Sequence, residues 1–147
     1  MARPTKPRRV RHWPTVSEFR PNKRCKKSVL QLGVDEWEAL YLKDVVKLSQ
    51  EECAKMMDIS RQTVQMILEN AHYKVALAIT SGYTLQISGG EVTLHHCLFQ
   101  CKDCGHKREV LATDLDTVCP SCQSANTHCI IDHFCQNHCQ REFDPEE

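Results

Sequence analysis

The residues of this 147-residue chain whose type and spacing could do chemistry are its cysteines. There are ten, and eight of them lie between positions 97 and 139. Two pairs have the spacing C-x₂-C, and these are Cys101 with Cys104 and Cys119 with Cys122. Four thiolates from two such pairs bind one zinc ion tetrahedrally. The spacing therefore predicts a closed, structural zinc ribbon over residues 98–125.

The other thiols of this segment, with neighbouring histidines, predict a second metal site. Its ligands would come from seven side chains: Cys97, Cys129, Cys135, Cys139, His95, His96 and His138. Thiolate-rich ligand sets suit zinc, copper(I) or an iron–sulfur cluster, so the metal stays open. The alternative is that these residues are buried thiols and surface histidines without a metal.

An enzymatic role is not expected from these residues. Cys97, Cys101 and Cys104 have the C-x₃-C-x₂-C spacing that holds a cluster in some radical enzymes. Only about 50 residues follow Cys97, too few for the large barrel that such an enzyme needs. No nucleophile and base stand out as a pair, and no glycine-rich loop would bind a nucleotide phosphate. We therefore expect closed metal sites and no catalysis.

Charge is distributed unevenly, although the formal net charge is zero. Residues 1–27 contain ten Lys and Arg against a single acid, Glu18. Such a segment is typical of an extended arm that contacts nucleic acid, although a solvated tail without a partner is the alternative. No apolar run approaches ~18 residues, and the N-terminus lacks the apolar core of a secretory signal. We therefore expect a cytoplasmic protein with no membrane contact. Disulfides are rare in the cytoplasm, so ten cysteines indicate metal binding or redox sensing.

Residues 28–82 have the periodicity of three helices. Asp35 is predicted to cap the first helix and Ser49 the short second one, each with a glutamate three residues later. Ser60 is predicted to cap a third, longer helix that ends at Gly82. The apolar positions of the third helix predict one buried stripe: Val64, Ile67, Leu68, Ala71, Val75 and Ala78.

A short helix, a turn of about four residues and a longer helix are typical of a helix-turn-helix. The first turn of the third helix would then reach base edges in the major groove of double-stranded DNA, because Arg suits guanine and Gln suits adenine. The arm would neutralise phosphates or enter a minor groove. The predicted DNA contacts are Ser60, Arg61, Gln62, Thr63, Gln65, Arg3, Arg8, Arg9 and Arg11. A plain three-helix bundle with a polar face is the alternative.

The stretch "YTLQISGGEVTLHH" alternates apolar and polar residues around two glycines, which predicts a β-hairpin connector over 83–96. The predicted fold class is therefore α+β. It has four parts: a basic arm (1–27), a three-helix helix-turn-helix domain (28–82), the hairpin (83–96) and a small β zinc-ribbon-like metal domain (97–147).

The run "LSQEECAKMMDISRQTV" resembles the region-four helix-turn-helix of bacterial sigma factors. With "MARP", "DEWEALYLKD", "KVA" and "GYTLQISGG", about two-thirds of the chain resembles a family of small, largely uncharacterised prokaryotic predicted DNA-binding proteins. The resemblance implies the helix-turn-helix and DNA binding, but no operator; here a cysteine-rich extension follows. Cys53 stands on a face expected to be buried, where a thiol acts as a small hydrophobe.

The predicted function is a DNA-binding transcription regulator. Its cysteine-rich domain would stabilise the fold and could also sense metal or redox state or form a homodimer. The alternative function is that of a zinc-ribbon adaptor protein. In it, the helices dock on RNA polymerase and the ribbon binds another partner. A metal chaperone or store is a third alternative, and it would release its metal readily to a competing apo-protein.

Overall fold

The structure, a computed structural model, describes residues 4–22, 28–111 and 118–131. The chain divides into two compact units, Met1–Thr93 and Leu94–Glu147. The described residues combine three helices with short strands in several sheets, so the α+β class is confirmed. No helix among them is long and apolar enough to cross a membrane.

The helices of the first unit begin and end at residues whose side chains or backbone suit helix termini. Helix α1 spans Val34–Leu40 and continues as a π-helical segment over Tyr41–Val45. Helix α2 spans Gln50–Met57 and helix α3 spans Arg61–Ser81. The last residue before α2 is Ser49, whose Oγ accepts from the Glu52 N–H (3.2 Å) while the Glu52 carboxylate accepts from the Ser49 N–H (2.8 Å). The predicted capping box is confirmed.

Helix α3 has the predicted termini as well. The Oγ of Ser60 accepts from the Thr63 N–H at 3.1 Å, which satisfies one of the four free N–H groups of the first turn. Gly82 ends the helix with φ 72°, a left-handed conformation that costs a glycine little.

The predicted cap of α1 is wrong. Gly33, not Asp35, precedes the first helical residue, and the Gly33 N–H donates to Glu36 Oε2 at 2.8 Å. Asp35 lies inside the first turn, where its carboxylate faces the Arg8 guanidinium at 3.7 Å. The helix therefore starts two residues earlier than its acidic pattern suggested, because the glutamate three residues after Gly33 completes the cap.

The core of the first unit lies along the N-terminal half of α3. Val64, Ile67, Leu68 and Ala71 are buried as predicted. Helix α3 packs against α2, whose Cys53, Met56 and Met57 are also buried. The last two positions of the predicted stripe, Val75 and Ala78, are only half-buried. They line an open apolar groove instead of a closed core.

The predicted hairpin over 83–96 is wrong, because its two strands belong to different sheets. In chain order, the strands of this part are β1 (Arg8–Val10), β2 (Glu18–Phe19), β3 (Val29–Leu32), β4 (Thr84–Ile87) and β5 (Val92–Leu94). Strand β4 pairs antiparallel with β2 and parallel with β3, whereas β5 pairs with β1. The glycines between β4 and β5 turn the chain against α1: the Gly89 carbonyl accepts from the Val34 N–H at 3.0 Å. A Cβ on Gly90 (φ 93°) would lie 2.8 Å from an Asp35 carboxylate oxygen.

The second unit is built on a three-stranded antiparallel sheet. Its strands are β6 (His96–Cys101), β7 (Lys107–Leu111) and β8 (Thr127–Cys129), in the order β7-β6-β8. Cys97, Phe99 and Cys101 lie on the buried face of β6, as the period of two in a strand requires. Cys129, opposite Phe99, is buried with them.

Candidate metal centre and nucleic-acid interface

The structure brings the four cysteines of the two C-x₂-C pairs together. All four sulfur atoms lie within 4.8 Å of one another. The Sγ atoms of Cys101 and Cys122 are 3.6 Å apart, and those of Cys104 and Cys119 are also 3.6 Å apart. Four thiolates at these separations could hold one metal ion, and they would fill its coordination sphere without water.

Each pair of cysteines sits on a turn that the local backbone closes. The Gly105 N–H donates to the Cys101 carbonyl at 3.0 Å, and the Gln123 N–H donates to the Cys119 carbonyl at 2.9 Å. Gly105 and Gln123 both have positive φ, at 75° and 62°. The two turns therefore have the same form, with the residue after each second cysteine in the left-handed region.

Backbone N–H groups and crowding among the thiols set the electrostatics of the cluster. The N–H groups of Cys122 and Ser121 donate toward the Cys119 sulfur and lower its pKa to about 7. The Ser124 N–H acts in the same sense on Cys122, but the neighbouring thiols, Cys104 foremost, raise the pKa of Cys122 to about 12. The lowered pKa favours the thiolate form of Cys119, whereas the proton of Cys122 would be displaced by a bound metal.

Hydrogen bonds to Asp103 connect the two turns, and the sequence does not predict them. Asp103, between the first two cysteines, accepts from the Ser124 hydroxyl and from Asn126 Nδ2, the latter at 3.0 Å. Both hydrogen bonds lower the pKa of the Asp103 carboxyl. No periodicity or spacing distinguishes Asp103 from any other exposed acid, so only the folded geometry reveals its role.

The second predicted metal site stays a prediction. Cys97 and Cys129 pack with Phe99 in a buried cluster, and His96 Nδ1 lies 3.2 Å from Glu109 Oε1. His95 is buried. Three predicted ligands lie outside the described residues: Cys135, His138 and Cys139. Within residues 4–22, 28–111 and 118–131, only the four-cysteine cluster has metal-binding geometry.

The first turn of α3 presents long polar side chains to solvent. Arg61, Gln62 and Gln65 are exposed. Arg61 Nε lies 3.2 Å from Glu51 Oε1, and Gln65 Nε2 donates to Glu69 Oε1 at 3.2 Å. The hydroxyls of Ser60 and Thr63 lie 2.8 Å apart and belong to the helix cap. Of the five predicted contacts on this helix, Ser60 and Thr63 form the cap, and Arg61, Gln62 and Gln65 are exposed.

Three arginines of the predicted arm, Arg8, Arg9 and Arg11, lie against the protein. Arg9 donates from Nε to the Met56 carbonyl (3.0 Å) and from Nη2 to the Lys55 carbonyl (2.7 Å). Arg8 faces Asp35, and Arg11 is only 4% exposed. Arg3 lies outside the described residues. The segment is held there because β1 pairs with β5 and buries Val10, a long-range pairing that composition does not signal.

Replacing Arg9 with alanine is expected to destabilise the first unit by about 1–2 kcal/mol, because the last carbonyls of α2 lose two charge-assisted hydrogen bonds. Urea unfolding followed by tryptophan fluorescence measures this loss. Lys6→Ala is the matched control, since the Lys6 ammonium is 65% exposed and pairs with Asp58, which is 55% exposed; its expected cost is below ~0.5 kcal/mol. Equal midpoints for the two variants would contradict the capping role.

Comparison with known proteins places the chain among clostridial relatives. A family model described as "protein of unknown function DUF134" matches residues 1–95. The UPF0251 protein of Clostridium novyi (strain NT) is 44% identical over 147 residues, covering 98% of this chain and 100% of that protein. A UPF0251 protein of Clostridium tetani is 44% identical over 144 residues, covering 95% and 97%. No solved structure gives a significant match. The chain therefore belongs to the DUF134 family, with the UPF0251 proteins.

Proposed function

We propose that the protein is a DNA-binding transcription regulator, and not an enzyme, with a structural zinc ribbon at its four clustered cysteines. In this proposal the first turn of α3 reads the major groove of double-stranded DNA. The observation that carries it is the exposed set of Arg61, Gln62 and Gln65 at the capped start of a long helix packed on a short one.

The packing of α2 against α3 supports a helix-turn-helix. Helix α2 has eight residues and α3 has 21. Asp58, with φ 55°, reverses the chain between them, and the Ile59 N–H donates to the Ala54 carbonyl at 3.0 Å. In proteins of this class the second helix lies in the major groove and its N-terminal side chains contact base edges. The buried face of α3 leaves these side chains on the opposite, exposed face.

The side chains of the first turn have suitable chemistry for base recognition. Arginine and glutamine each make two hydrogen bonds to one base, guanine and adenine respectively. The Arg61–Glu51 pair is exposed on both sides. Exposed pairs contribute only ~0–1 kcal/mol, so Arg61 can exchange this partner for a base at little cost.

The experiment that tests DNA reading starts with selection from a randomised duplex library. Dissociation constants are then measured for an enriched duplex and a scrambled one over a range of salt concentrations. We expect Arg61→Ala and Gln65→Ala each to cost about 1–3 kcal/mol on the enriched duplex and far less on the scrambled one. Gln86→Ala, an exposed glutamine on β4, is the matched control and should bind both as the parent does.

Two results would contradict DNA reading. Equal losses on both duplexes would remove the base contacts assigned to α3. Enrichment of no duplex, together with binding to RNA polymerase in the absence of DNA, would favour the adaptor. A log–log salt slope near zero would contradict any neutralisation of phosphates.

The donor set and its spacing support zinc as the metal of the four-cysteine cluster. Four thiolates at ~2.3 Å from a tetrahedral ion lie ~3.8 Å from one another, close to the 3.6 Å between two pairs here. When bound, zinc would supply folding free energy to a unit whose described apolar core is small. Cys101 and Cys119 would hold it from buried positions, and Cys104 and Cys122 from exposed ones.

A further inference from the structure

An open apolar groove of about 640 Å³ lies beside the C-terminal end of α3 in the first unit. Buried side chains of the sheet line it, among them Leu32 and Leu85. Two stacked rings, Trp37 and Tyr41, line it from α1 and the π-helical segment, with centroids 5.8 Å apart and planes 4° from parallel. The groove is therefore continuous with the core but open to solvent.

Apolar side chains along this groove are left exposed. Ile79 is 78% exposed and Phe19 is 56% exposed, and Val45 is also exposed. Monomeric proteins seldom leave contiguous apolar surface of this kind in water, and such patches mark sites of association. The groove thus combines an apolar recess with apolar side chains that protrude beside it.

The charges of the groove indicate what covers it. Arg20 and Asp44 both line it, and their side chains are 73% and 47% exposed. Arg20 pairs with Glu18, and Asp44 lies 2.7 Å from His72 Nε2; such exposed pairs contribute only ~0–1 kcal/mol, so both groups can exchange partners at little cost. In a two-fold interface the same surface meets itself, so each protruding group must find its complement on that surface. A recess with protruding apolar side chains, and one cation with one anion, meets this requirement. A purely acidic partner would repel Asp44, and a purely basic partner would repel Arg20.

We propose that this groove is the interface between two copies of the chain, with Ile79 of one copy in the recess of the other and Arg20 against Asp44. The proposal deepens the proposed function and partly rests on it. Ile79 is 18 residues from Arg61, ~27 Å along the axis of α3. A dimer joined at Ile79 leaves both first turns uncovered and can place them ~34 Å apart, the spacing of half-sites one DNA turn from each other.

Sedimentation equilibrium of the full, metal-loaded chain in the absence of DNA tests the interface. We expect a monomer–dimer equilibrium whose dissociation constant rises on the order of tenfold or more in Ile79→Glu, because the carboxylate would be buried without a partner. Tyr73→Glu is the matched control: Tyr73 is a 67% exposed apolar side chain of the same helix outside the groove. It should leave the dissociation constant unchanged. Circular dichroism checks that both variants keep their helices.

A charge exchange tests the pairing of Arg20 with Asp44. Arg20→Asp and Asp44→Arg are each expected to weaken the dimer, and an equimolar mixture of the two should recover it as a heterodimer. A chain that stays monomeric up to roughly 100 μM would overturn the proposal. So would a dimer that Ile79→Glu leaves intact, or a monomer that binds RNA polymerase or an apolar molecule through this groove. Because DNA is absent, these outcomes are independent of whether Arg61 and Gln65 read bases.

Discussion

Replacing Cys119 with serine is expected to abolish tight metal binding by the four-cysteine cluster and to unfold the second unit. The cluster holds its sulfur atoms within 4.8 Å of one another, so each cysteine would supply one of the four ligands of a bound ion. Apparent binding free energies of structural zinc are ~10–16 kcal/mol in small domains, where the metal is part of the fold. The described apolar core here is three buried residues, Cys97, Phe99 and Cys129, with Val110 against them. Such a core cannot replace that contribution.

Metal analysis of the purified protein and amide chemical shifts of β6–β8 measure this effect. We expect the variant to lose one zinc per chain and the dispersed shifts of the sheet. Cys53→Ala is the matched control, because Cys53 is a fully buried thiol of α2 outside the cluster, and burial raises its pKa to about 11. This control should cost about 1 kcal/mol of stability and retain the metal. Retention of zinc and of the sheet by Cys119→Ser would contradict the ribbon.

The same metal analysis addresses the second predicted site. One zinc per chain, unchanged when Cys97 and Cys129 are replaced, would indicate that these two residues serve the core alone. A second metal, or iron with sulfide and visible absorption, would identify them as ligands and favour a sensor. The two results are distinguishable because Cys97 and Cys129 lie outside the four-sulfur cluster.

Features fixed by short-range chemistry could be predicted from the sequence. The capping box at Ser49 depends on a glutamate three residues later, and the turns at Cys101 and Cys119 are closed by the backbone N–H of the residue four positions later. Each of these is decided within one turn of chain, so the pattern of residues suffices. The burial of Val64, Ile67, Leu68 and Ala71 follows in the same way from helical period.

Features fixed by pairing between distant segments could not be predicted. The alternation around Gly89 and Gly90 predicted strands correctly, but β4 and β5 took partners 50 or more residues away. The charge of Arg9 predicts a DNA contact, whereas in the fold its guanidinium donates to the carbonyls of residues that lie 46 and 47 positions later in the chain. Charge and alternation state what a residue can do, and only the fold determines which partner it meets.

The N-terminal segment illustrates this point at a functional level. A basic composition suggested an arm outside the fold, yet the segment supports α2 through Arg9 and α1 through Arg8. These are the helices that flank or support α3. We infer that the segment holds the two helices on which α3 packs, with Glu38 as the centre of that support.

Replacing Glu38 with alanine is expected to destabilise the first unit by about 3 kcal/mol. The Glu38 side chain is fully buried. Its Oε1 accepts from the Arg11 N–H at 3.1 Å, and the two carboxylate oxygens lie 3.0 and 3.1 Å from His12 Nδ1. The His12 ring in turn contacts Tyr41, with centroids 4.6 Å apart. Truncation leaves buried polar groups without their acceptor and opens a cavity, and both effects are costly.

Urea unfolding followed by tryptophan fluorescence measures this loss, because both tryptophans of the chain, Trp13 and Trp37, belong to the first unit. Glu38→Gln retains the shape and one acceptor oxygen, so it should cost only about 1–2 kcal/mol. Glu69→Ala, which removes an exposed glutamate from α3, should cost less than ~0.5 kcal/mol. If Glu38→Ala unfolded at the same urea concentration as Glu69→Ala, the N-terminal segment would not be anchored through Glu38. A loss of stability that decreases from Glu38→Ala to Glu38→Gln to Glu69→Ala is the result expected for a buried carboxylate that joins the segment to α1.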